Sequence, residues 1–291
     1  MDGIPIDASY TWKYARSCGV TRKQIALDGI PLARGLYLSR GSDCDLVARC
    51  VAWSRVLPAD AAFALGTAAA LYGAAAETAD IHVALRPRRV LPQHAGITVH
   101  GRALADEDVV QHRGLRLTSG AQTFLDLGPE LLPWNHVALG DGLMRAGALT
   151  CEDLTRRLAR ADRVRGVVQA RRWAPHLTGK SGSHQESVLR FWLLASDLPD
   201  PEVQLPVYDR WGQPVVHADL GYEEWKIALE YEGRQHADRD QFGRDIDRYS
   251  LMAADGWLVL RFAARHVGSP RVPVDRTRRA LLSRGWRPQP S

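Results

Sequence analysis

Three acidic residues, Asp219, Glu230 and Glu232, have the types and spacing of a small metal site. Asp219 lies in a segment of alternating polarity, and Glu230 and Glu232 end an apolar run that begins at Ile227. Side chains of a strand alternate between its two faces, so Glu230 and Glu232 point the same way. If the two segments form a hairpin through 221–224, Asp219 and Glu230 can face each other. Two such carboxylates repel each other unless a cation lies between them.

The chemistry that this arrangement indicates is metal-assisted hydrolysis. Mg²⁺ takes hard oxygen ligands and keeps open positions for water and phosphate. It can then activate a water and stabilise the charge that develops on a phosphodiester. Acids at strand ends are also common surface residues, and this spacing occurs in many unrelated chains. The apolar residues before Glu230 favour the metal site, because a free carboxylate in a core strand is costly.

Two further residues could take part in the same chemistry. Glu186 ends the run Ser183-His184-Gln185-Glu186, which fits a helix capping box in which the glutamate accepts from a backbone N–H. It could equally project towards the other acids, although the pattern alone favours the cap. His236 follows Glu232 by four residues and could shuttle a proton, because an unperturbed imidazole has a pKa of about 6.5. A simple hydrogen-bonding role is the alternative for this histidine.

The charge of the chain permits nucleic acid as a partner. Lys and Arg together number 38 against 33 acids, giving a net charge of +5, and only four of the basic residues are lysines. Arginine grips phosphate with a planar fork of donors, although an arginine bias also follows from a GC-rich genome. We expect the arginines of 271–287 to contact a nucleic-acid backbone. We expect the same of Arg156, Arg157 and Arg160 within 151–172, which is predicted as one long helix. The alternative for these residues is a solvated helix face.

Composition argues against several classes of protein. The chain has 291 residues, of which 45% are hydrophobic, so it can bury a sizeable core. Its longest apolar stretch, 61–76, is shorter than the roughly 18 to 20 residues of a membrane-spanning helix, and the first residues lack the pattern of a signal peptide. The four cysteines form no Cys-x-x-Cys pair. We therefore expect reduced thiols, a cytoplasmic location and no membrane partner.

The elements that must position the acids divide into three predicted parts. Residues 1–42 form a winged-helix-like unit, 43–178 an α+β region, and 179–291 an α/β domain that begins at a flexible hinge over 179–182. The third part contains a helix, three strands, a helix, a strand and a final helix, a pattern typical of an α/β core with one covered sheet. The predicted elements are 183–196, 203–208, 215–220, 226–231, 240–254, 257–262 and 274–284. In the second part we expect helices over 63–72 and 118–127 and strands over 81–85 and 96–100.

Five motifs in the third part carry a family resemblance. They are Glu186-Ser187-Val188-Leu189-Arg190, His217-Ala218-Asp219-Leu220, Ala228-Leu229-Glu230-Tyr231-Glu232-Gly233-Arg234-Gln235-His236, Asp245-Ile246-Asp247-Arg248 and Asp255-Gly256-Trp257-Leu258-Val259-Leu260-Arg261. In this order they resemble the Vsr-like domain, named after very-short-patch repair, of the PD-(D/E)XK restriction-endonuclease-like superfamily. The resemblance covers about 180 to 268. It implies a mixed sheet flanked by helices.

The resemblance also implies roles for individual residues. Asp219 and Glu230 correspond to the metal ligands, and Glu186 is the helix-borne acid that completes the site. Glu232 stands where these proteins usually carry aspartate, and His236 matches their histidine. We expect one of these two residues to handle the proton of the attacking water. The superfamily lysine is absent, because Glu232 occupies its position, and this leaves open which group orients the water. Arg248 and Arg261 match basic positions that face phosphate or support the site, and Arg234 is a further predicted nucleic-acid contact.

The first 175 residues resemble a second family, the AbiEi-like type IV antitoxins. The similar segments are Gly19-Val20-Thr21, Arg34-Gly35-Leu36-Tyr37 and Thr118-Ser119-Gly120-Ala121-Gln122-Thr123-Phe124-Leu125-Asp126-Leu127. The two resemblances together imply a Mg²⁺-dependent DNA endonuclease, with Mn²⁺ as a substitute, that acts in DNA repair or in defence against phage and mobile elements. A cognate toxin or a repair factor is an implied partner. The alternatives are a non-catalytic DNA-binding regulator of the antitoxin type and an RNA-cleaving nuclease.

Overall fold

The computed structural model describes residues 8–75, 79–88, 90–209, 211–233 and 249–288. The chain forms two compact units, Met1–Glu130 with Ala146–Arg172 and Leu131–Arg145 with Trp173–Ser291. This division differs from the three predicted parts. The winged-helix-like unit and most of the α+β region belong to one unit, and a helix from the α+β region belongs to the other.

The first unit begins with a helix-turn-helix beside a small sheet. Its elements are β1 (Ser9–Thr11), α1 (Trp12–Ser17), α2 (Arg22–Asp28), β2 (Gly29–Ala33) and β3 (Leu36–Ser39). The strands are ordered β1-β3-β2. Gly19, at a φ of +79°, turns the chain between the helices, where a side chain would be strained. Thr21 caps α2 in a full capping box with Gln24.

The rest of the first unit is built on a five-stranded sheet with the order β6-β5-β4-β8-β7. Its elements are α3 (Leu46–Ser54), β4 (Ala62–Phe63), α4 (Leu65–Leu71), β5 (Ile81–Leu85), β6 (Ile97–Gly101), β7 (Val109–His112), β8 (Leu115–Thr118), α5 (Gly120–Leu127), α7 (Cys151–Ala159) and α8 (Val167–Trp173). The predicted strands at 81–85 and 96–100 are confirmed to within a residue. The predicted helix over 63–72 begins at Leu65, because Phe63 pairs with both β5 and β8.

The single long helix predicted over 151–172 is wrong. The chain forms α7 and α8 with an irregular segment between them. Arg163 and Gly166 take positive φ angles of 53° and 85° in that segment, a left-handed conformation that no α-helix continues through. Buried Ala161 shows that the segment packs against the unit.

The second unit is a mixed four-stranded sheet flanked by helices, as expected. Its elements are α6 (Pro133–Arg145), α9 (His184–Leu194), β9 (Glu202–Tyr208), β10 (Pro214–Tyr222), β11 (Ile227–Glu232), α10 (described over 249–254), β12 (Leu258–Ala263), α11 (Ala264–Val267) and α12 (Arg271–Ser283). The strand order is β12-β11-β10-β9. Strands β9, β10 and β11 are antiparallel, and β12 joins β11 in parallel. Helix α9 packs on β10 and β11, and Met252 of α10 lies in a buried cluster with Ala218 and Ala228.

A buried ion pair joins α6 to α9. Arg190 donates to both carboxylate oxygens of Asp141 at 2.9 and 2.7 Å. Asp141 also accepts the backbone N–H of Thr178 at 2.8 Å, and Ser181 beside it is fully buried. Within the segment 179–182, predicted as a flexible hinge, Ser181 is anchored to α6. Its hydroxyl contacts Asp141 at 3.4 Å, and its carbonyl accepts from the Arg145 side chain at 2.6 Å. Within the described residues, no helix combines the length and apolar character needed to span a bilayer.

Candidate active site

Asp219 and Glu230 lie where the backbone pairing of β10 and β11 stops. The paired residues run from Tyr222↔Ile227 to Leu220↔Leu229, and the same register would put Asp219 opposite Glu230. At that point the backbone N–H of Tyr231 donates to Asp219 Oδ2 at 2.7 Å. An aspartate side chain thus takes the N–H that continued strand pairing would otherwise satisfy. The hairpin that the sequence predicts therefore brings these two acids onto neighbouring positions.

Glu230 is the most buried of the predicted site acids. Its side chain lies on a central strand and the residue is only 5% exposed. Arg261 of β12 is its Cα partner across the parallel strand pair. The negative charge of Glu230 also contributes to the raised pKa of Tyr249, so this tyrosine of α10 lies near the acid. A buried carboxylate among such groups needs a positive partner or strong hydrogen bonds.

Glu232 is held in an ion pair. Arg261 Nε and the hydroxyl of Tyr249 both donate to Glu232 Oε1, at 2.7 and 2.9 Å. The guanidinium of Arg261 also lies over the Tyr249 ring, 4.5 Å from its centroid. Burial, followed by the hydrogen bond to Glu232, raises the pKa of Tyr249, which keeps its hydroxyl a donor. Arg261 therefore contacts an acid of the predicted site, which agrees with the alternative that it supports the site instead of facing phosphate.

Glu186 acts as a helix cap in this structure. Its Oε2 accepts the backbone N–H of Gly182 at 2.7 Å, and its own N–H donates to Ser183 Oγ at 3.2 Å. This arrangement agrees with the capping alternative, with Gly182 in place of Ser183 as the backbone donor. Among the described residues, no group of three or more His, Cys, Asp or Glu side chains is arranged to hold a metal ion.

The three arginines of the first unit that were predicted to contact nucleic acid form ion pairs with acidic residues of the same unit. Arg157 contacts Gln122 Oε1 at 2.6 Å and Asp108 at 3.3 Å, and its side chain is 12% exposed. Arg160 pairs with the same buried Asp108 at 2.7 Å. Arg156 pairs with Asp153. These pairs favour a structural role over the predicted backbone contact, because the guanidinium groups already have anionic partners. The remaining predicted residues, Arg234, His236 and Arg248, lie outside the described residues.

Tyr249 is a site residue that the sequence did not single out. An aromatic residue on a helix is usually part of the core, and here it also donates to a carboxylate. The sequence feature that could have indicated Tyr249 is its spacing from Met252, because residues three apart share a helix face. In the structure, Met252 is buried against the sheet.

The donor set of Asp219 and Glu230 fits Mg²⁺. This ion is commonly bound through one or two carboxylates, with waters and substrate phosphates completing its coordination. Asp219 and Glu230 supply two carboxylates from neighbouring strands, and Glu230 is 5% exposed. Glu186 and Glu232 contribute less to such a set, since Gly182 binds the first and Arg261 the second.

Comparisons with known proteins give relatives without a stated function. No family model matches the chain. Two uncharacterized proteins of Mycobacterium tuberculosis, MT2308 of strain CDC 1551 / Oshkosh and Rv2248 of strain ATCC 25618 / H37Rv, are each 29% identical over 228 residues, which is 78% of this chain and 82% of theirs. The crystal structure of the RV2827C protein from Mycobacterium tuberculosis matches with a TM-score of 0.41 and 17% identity, over 62% of this chain and 75% of that one. The chain is thus similar to mycobacterial proteins over most of its length.

Proposed function

We propose that this protein is a metal-dependent DNA endonuclease whose metal ligands are Asp219 and Glu230. The observation that carries the proposal is the pairing of these two carboxylates on β10 and β11, at the point where the strands stop exchanging backbone hydrogen bonds. The resemblance of the C-terminal motifs to Vsr-like nucleases supports the same assignment. DNA repair or defence against mobile elements is the setting that the resemblances imply.

Each residue of the proposed site has its own role in the reaction. Asp219 and Glu230 would hold Mg²⁺, which when bound supplies Lewis-acid activation of a water and stabilises charge on the phosphodiester. The Tyr231 N–H orients Asp219 by donating to Oδ2. Arg261 and Tyr249 hold Glu232 beside the pair. We keep His236 as the predicted acceptor of the water's proton.

The test is nicking of supercoiled plasmid in Mg²⁺ or Mn²⁺ by the wild type, Asp219→Asn and Glu230→Gln. Both substitutions remove a negative oxygen ligand and keep the shape of the side chain. We expect metal-dependent nicking by the wild type and its loss in both variants, with unchanged circular dichroism spectra. Equal nicking by the wild type and Asp219→Asn would overturn the assignment. Cleavage of an RNA of matched length in place of the plasmid would move the substrate class to RNA.

A second candidate function is a DNA-binding regulator that cuts nothing. The helix-turn-helix of the first unit favours it, because Arg22 and Lys23 are exposed at the start of α2. The second helix of such a motif enters the major groove and contacts bases with its N-terminal residues. This function requires tight duplex binding without metal that is lost in Arg22→Ala/Lys23→Ala, together with no nicking under any metal condition.

A further inference from the structure

Three basic side chains lie together on the last two helices of the second unit. We call them the α11–α12 patch, and they are Arg265 and His266 of α11 and Arg276 of α12. Arg265 and Arg276 are exposed, and neither forms an ion pair with any acid in the part of the chain that the structure describes. Burial, and then the charges of Arg265 and Arg276, lower the pKa of His266. Arg276 is therefore near the imidazole, and the imidazole is neutral at neutral pH.

Two donors point at the two ring nitrogens of His266. The backbone N–H of Ala263 donates to His266 Nδ1 at 3.0 Å, and Arg265 Nε lies 3.1 Å from Nε2. A neutral imidazole has one N–H and one acceptor nitrogen, so it cannot accept from both groups. It therefore accepts from only one of the two donors at a time. An oxygen ligand that accepts from the Arg265 guanidinium leaves the imidazole acceptor to the Ala263 amide.

The α11–α12 patch lies at the end of the sheet that carries the acids. Helix α11 begins directly after Ala263, the last residue of β12 and the Cα partner of Glu232 on β11. Trp192 of α9 donates through Nε1 to the carbonyl of Val267 at 2.8 Å and fixes the other end of α11. The position of the patch relative to the acids is therefore set by the sheet and by α9.

We propose that the α11–α12 patch binds the phosphodiester backbone of DNA beside the carboxylate pair. The inference rests on the proposed function, because it takes DNA as the substrate and adds the surface that holds it. Phosphate oxygens only accept hydrogen bonds, so they suit the exposed guanidinium groups of Arg265 and Arg276. The arginines at 156, 157 and 160 suit this task less well, because acids of their own unit engage them.

The experiment measures binding without cleavage. Fluorescence anisotropy of a labelled 20-base-pair duplex is followed in EDTA across a series of KCl concentrations. It compares the wild type, Arg265→Gln/Arg276→Gln, and the control Arg279→Gln. The control removes an exposed arginine of the same helix that is already paired with Asp275 at 2.8 Å. We expect the double variant to bind about tenfold more weakly, with a slope of log K against log salt that is smaller by about 2.

The control separates a specific surface from general charge. Wild-type affinity and slope in Arg279→Gln, with the loss confined to the double variant, would support the α11–α12 patch. Wild-type binding by the double variant, or an equal loss in Arg279→Gln, would overturn it. If the wild type nicks plasmid but the double variant binds the duplex as tightly as the wild type does, this inference fails and the proposed function stands. If binding depends on the patch but the wild type does not nick plasmid, this inference stands and the proposed function fails.

Discussion

At the scale of single residues, Glu232 has two alternative roles in the proposed site, proton transfer and the positioning of its neighbours. The sequence predicts that Glu232 or His236 handles the proton of the attacking water, whereas in the structure Arg261 and Tyr249 both donate to one oxygen of Glu232. A carboxylate that is occupied in this way holds neighbouring groups in position. The amide of glutamine can keep an acceptor oxygen in the same place, so Glu232→Gln distinguishes a positioning role from proton transfer.

We expect Glu232→Gln to retain metal-dependent cleavage to within about tenfold of the wild type. General acid–base catalysis contributes about 100-fold or more, so removal of the true base would have a much larger effect. The measurement is the nicking rate at saturating enzyme across a range of pH. A loss of about 100-fold or more, with the pH dependence of the rate abolished, would identify Glu232 as the base and contradict its positioning role.

A second residue-scale prediction concerns two histidines of the first unit. His82 Nδ1 lies 3.0 Å from His100 Nε2 across β5 and β6. Burial, then the charges of His82 and Arg102, lower the pKa of His100 below its ordinary value, while Glu130 opposes the shift. The unfolded chain therefore binds more protons than the folded one just below pH 6.5. The resulting stability is present above that pH and is lost as the pH falls towards the folded pKa.

Urea unfolding at pH 7.5, 6.5 and 5.5 measures this effect, with His100→Gln as the comparison. The free energy of unfolding of the wild type should fall more steeply on acidification than that of the variant. The difference between the pH dependences of the wild type and of His100→Gln reports on His100 alone. Other titrating groups contribute equally to both proteins, including His184, whose pKa is also lowered by burial and by Arg145. Parallel curves for the two proteins would show that His100 titrates alike in the folded and unfolded chains.

At the scale of elements, α9 depends on α6. Asp141 of α6 is fully buried and Arg190 of α9 is 4% exposed. Each ion is stable there only because of the other, since an unpaired buried charge costs several kcal/mol. The same pair holds the segment before α9, so it also fixes the start of the helix that carries Glu186.

Asp141→Ala should lower the free energy of unfolding by about 3 to 5 kcal/mol, because it leaves the Arg190 guanidinium buried without a counter-ion. The double variant Asp141→Leu/Arg190→Met should be less destabilised, since it removes both charges and keeps apolar volume. Chemical denaturation followed by tryptophan fluorescence measures both. A cost below about 1 kcal/mol for Asp141→Ala would mean that water reaches the guanidinium.

Most elements of the second unit could be predicted from the sequence. The alternation of 215–220 and the apolar run before Glu230 indicate β10 and β11 because each strand has its own local pattern. The placement of Asp219 beside Glu230 follows from the hairpin. The break between α7 and α8 could not be predicted, because it depends on the left-handed backbone of Arg163. The partners of Arg157 and Glu232 are likewise set by tertiary contacts with distant residues, Asp108 and Tyr249.

At the scale of the whole molecule, the second unit is discontinuous in sequence. Residues 131–145 belong to it, whereas 146–172 belong to the first unit. The sequence placed the boundary at 179 because the run Gly179-Lys180-Ser181-Gly182 has the composition of a linker. In the structure the second unit resumes at Trp173, and Ser181 is buried in contact with Asp141. A C-terminal fragment that starts at 179 would lack α6 and the counter-ion of Arg190.

We expect fragment 179–291 to show no cooperative thermal unfolding, whereas fragment 131–291 should unfold cooperatively. The longer fragment keeps Asp141 and also Trp134, whose ring lies 4.9 Å from that of Trp192. Calorimetry of the two fragments and of the full chain gives the comparison. Equal transition temperatures for both fragments would show that α6 is dispensable to the second unit.

The central claim is that Asp219 and Glu230 together hold a divalent cation, and binding of Mn²⁺ measured by electron paramagnetic resonance tests it most directly. Glu186→Gln is the matched control, since glutamine keeps the capping hydrogen bond and removes only the charge. We predict one Mn²⁺ per chain in the wild type and in Glu186→Gln, with affinity weakened by about tenfold or more in Asp219→Asn and Glu230→Gln. Wild-type Mn²⁺ affinity in Asp219→Asn and Glu230→Gln would contradict the claim.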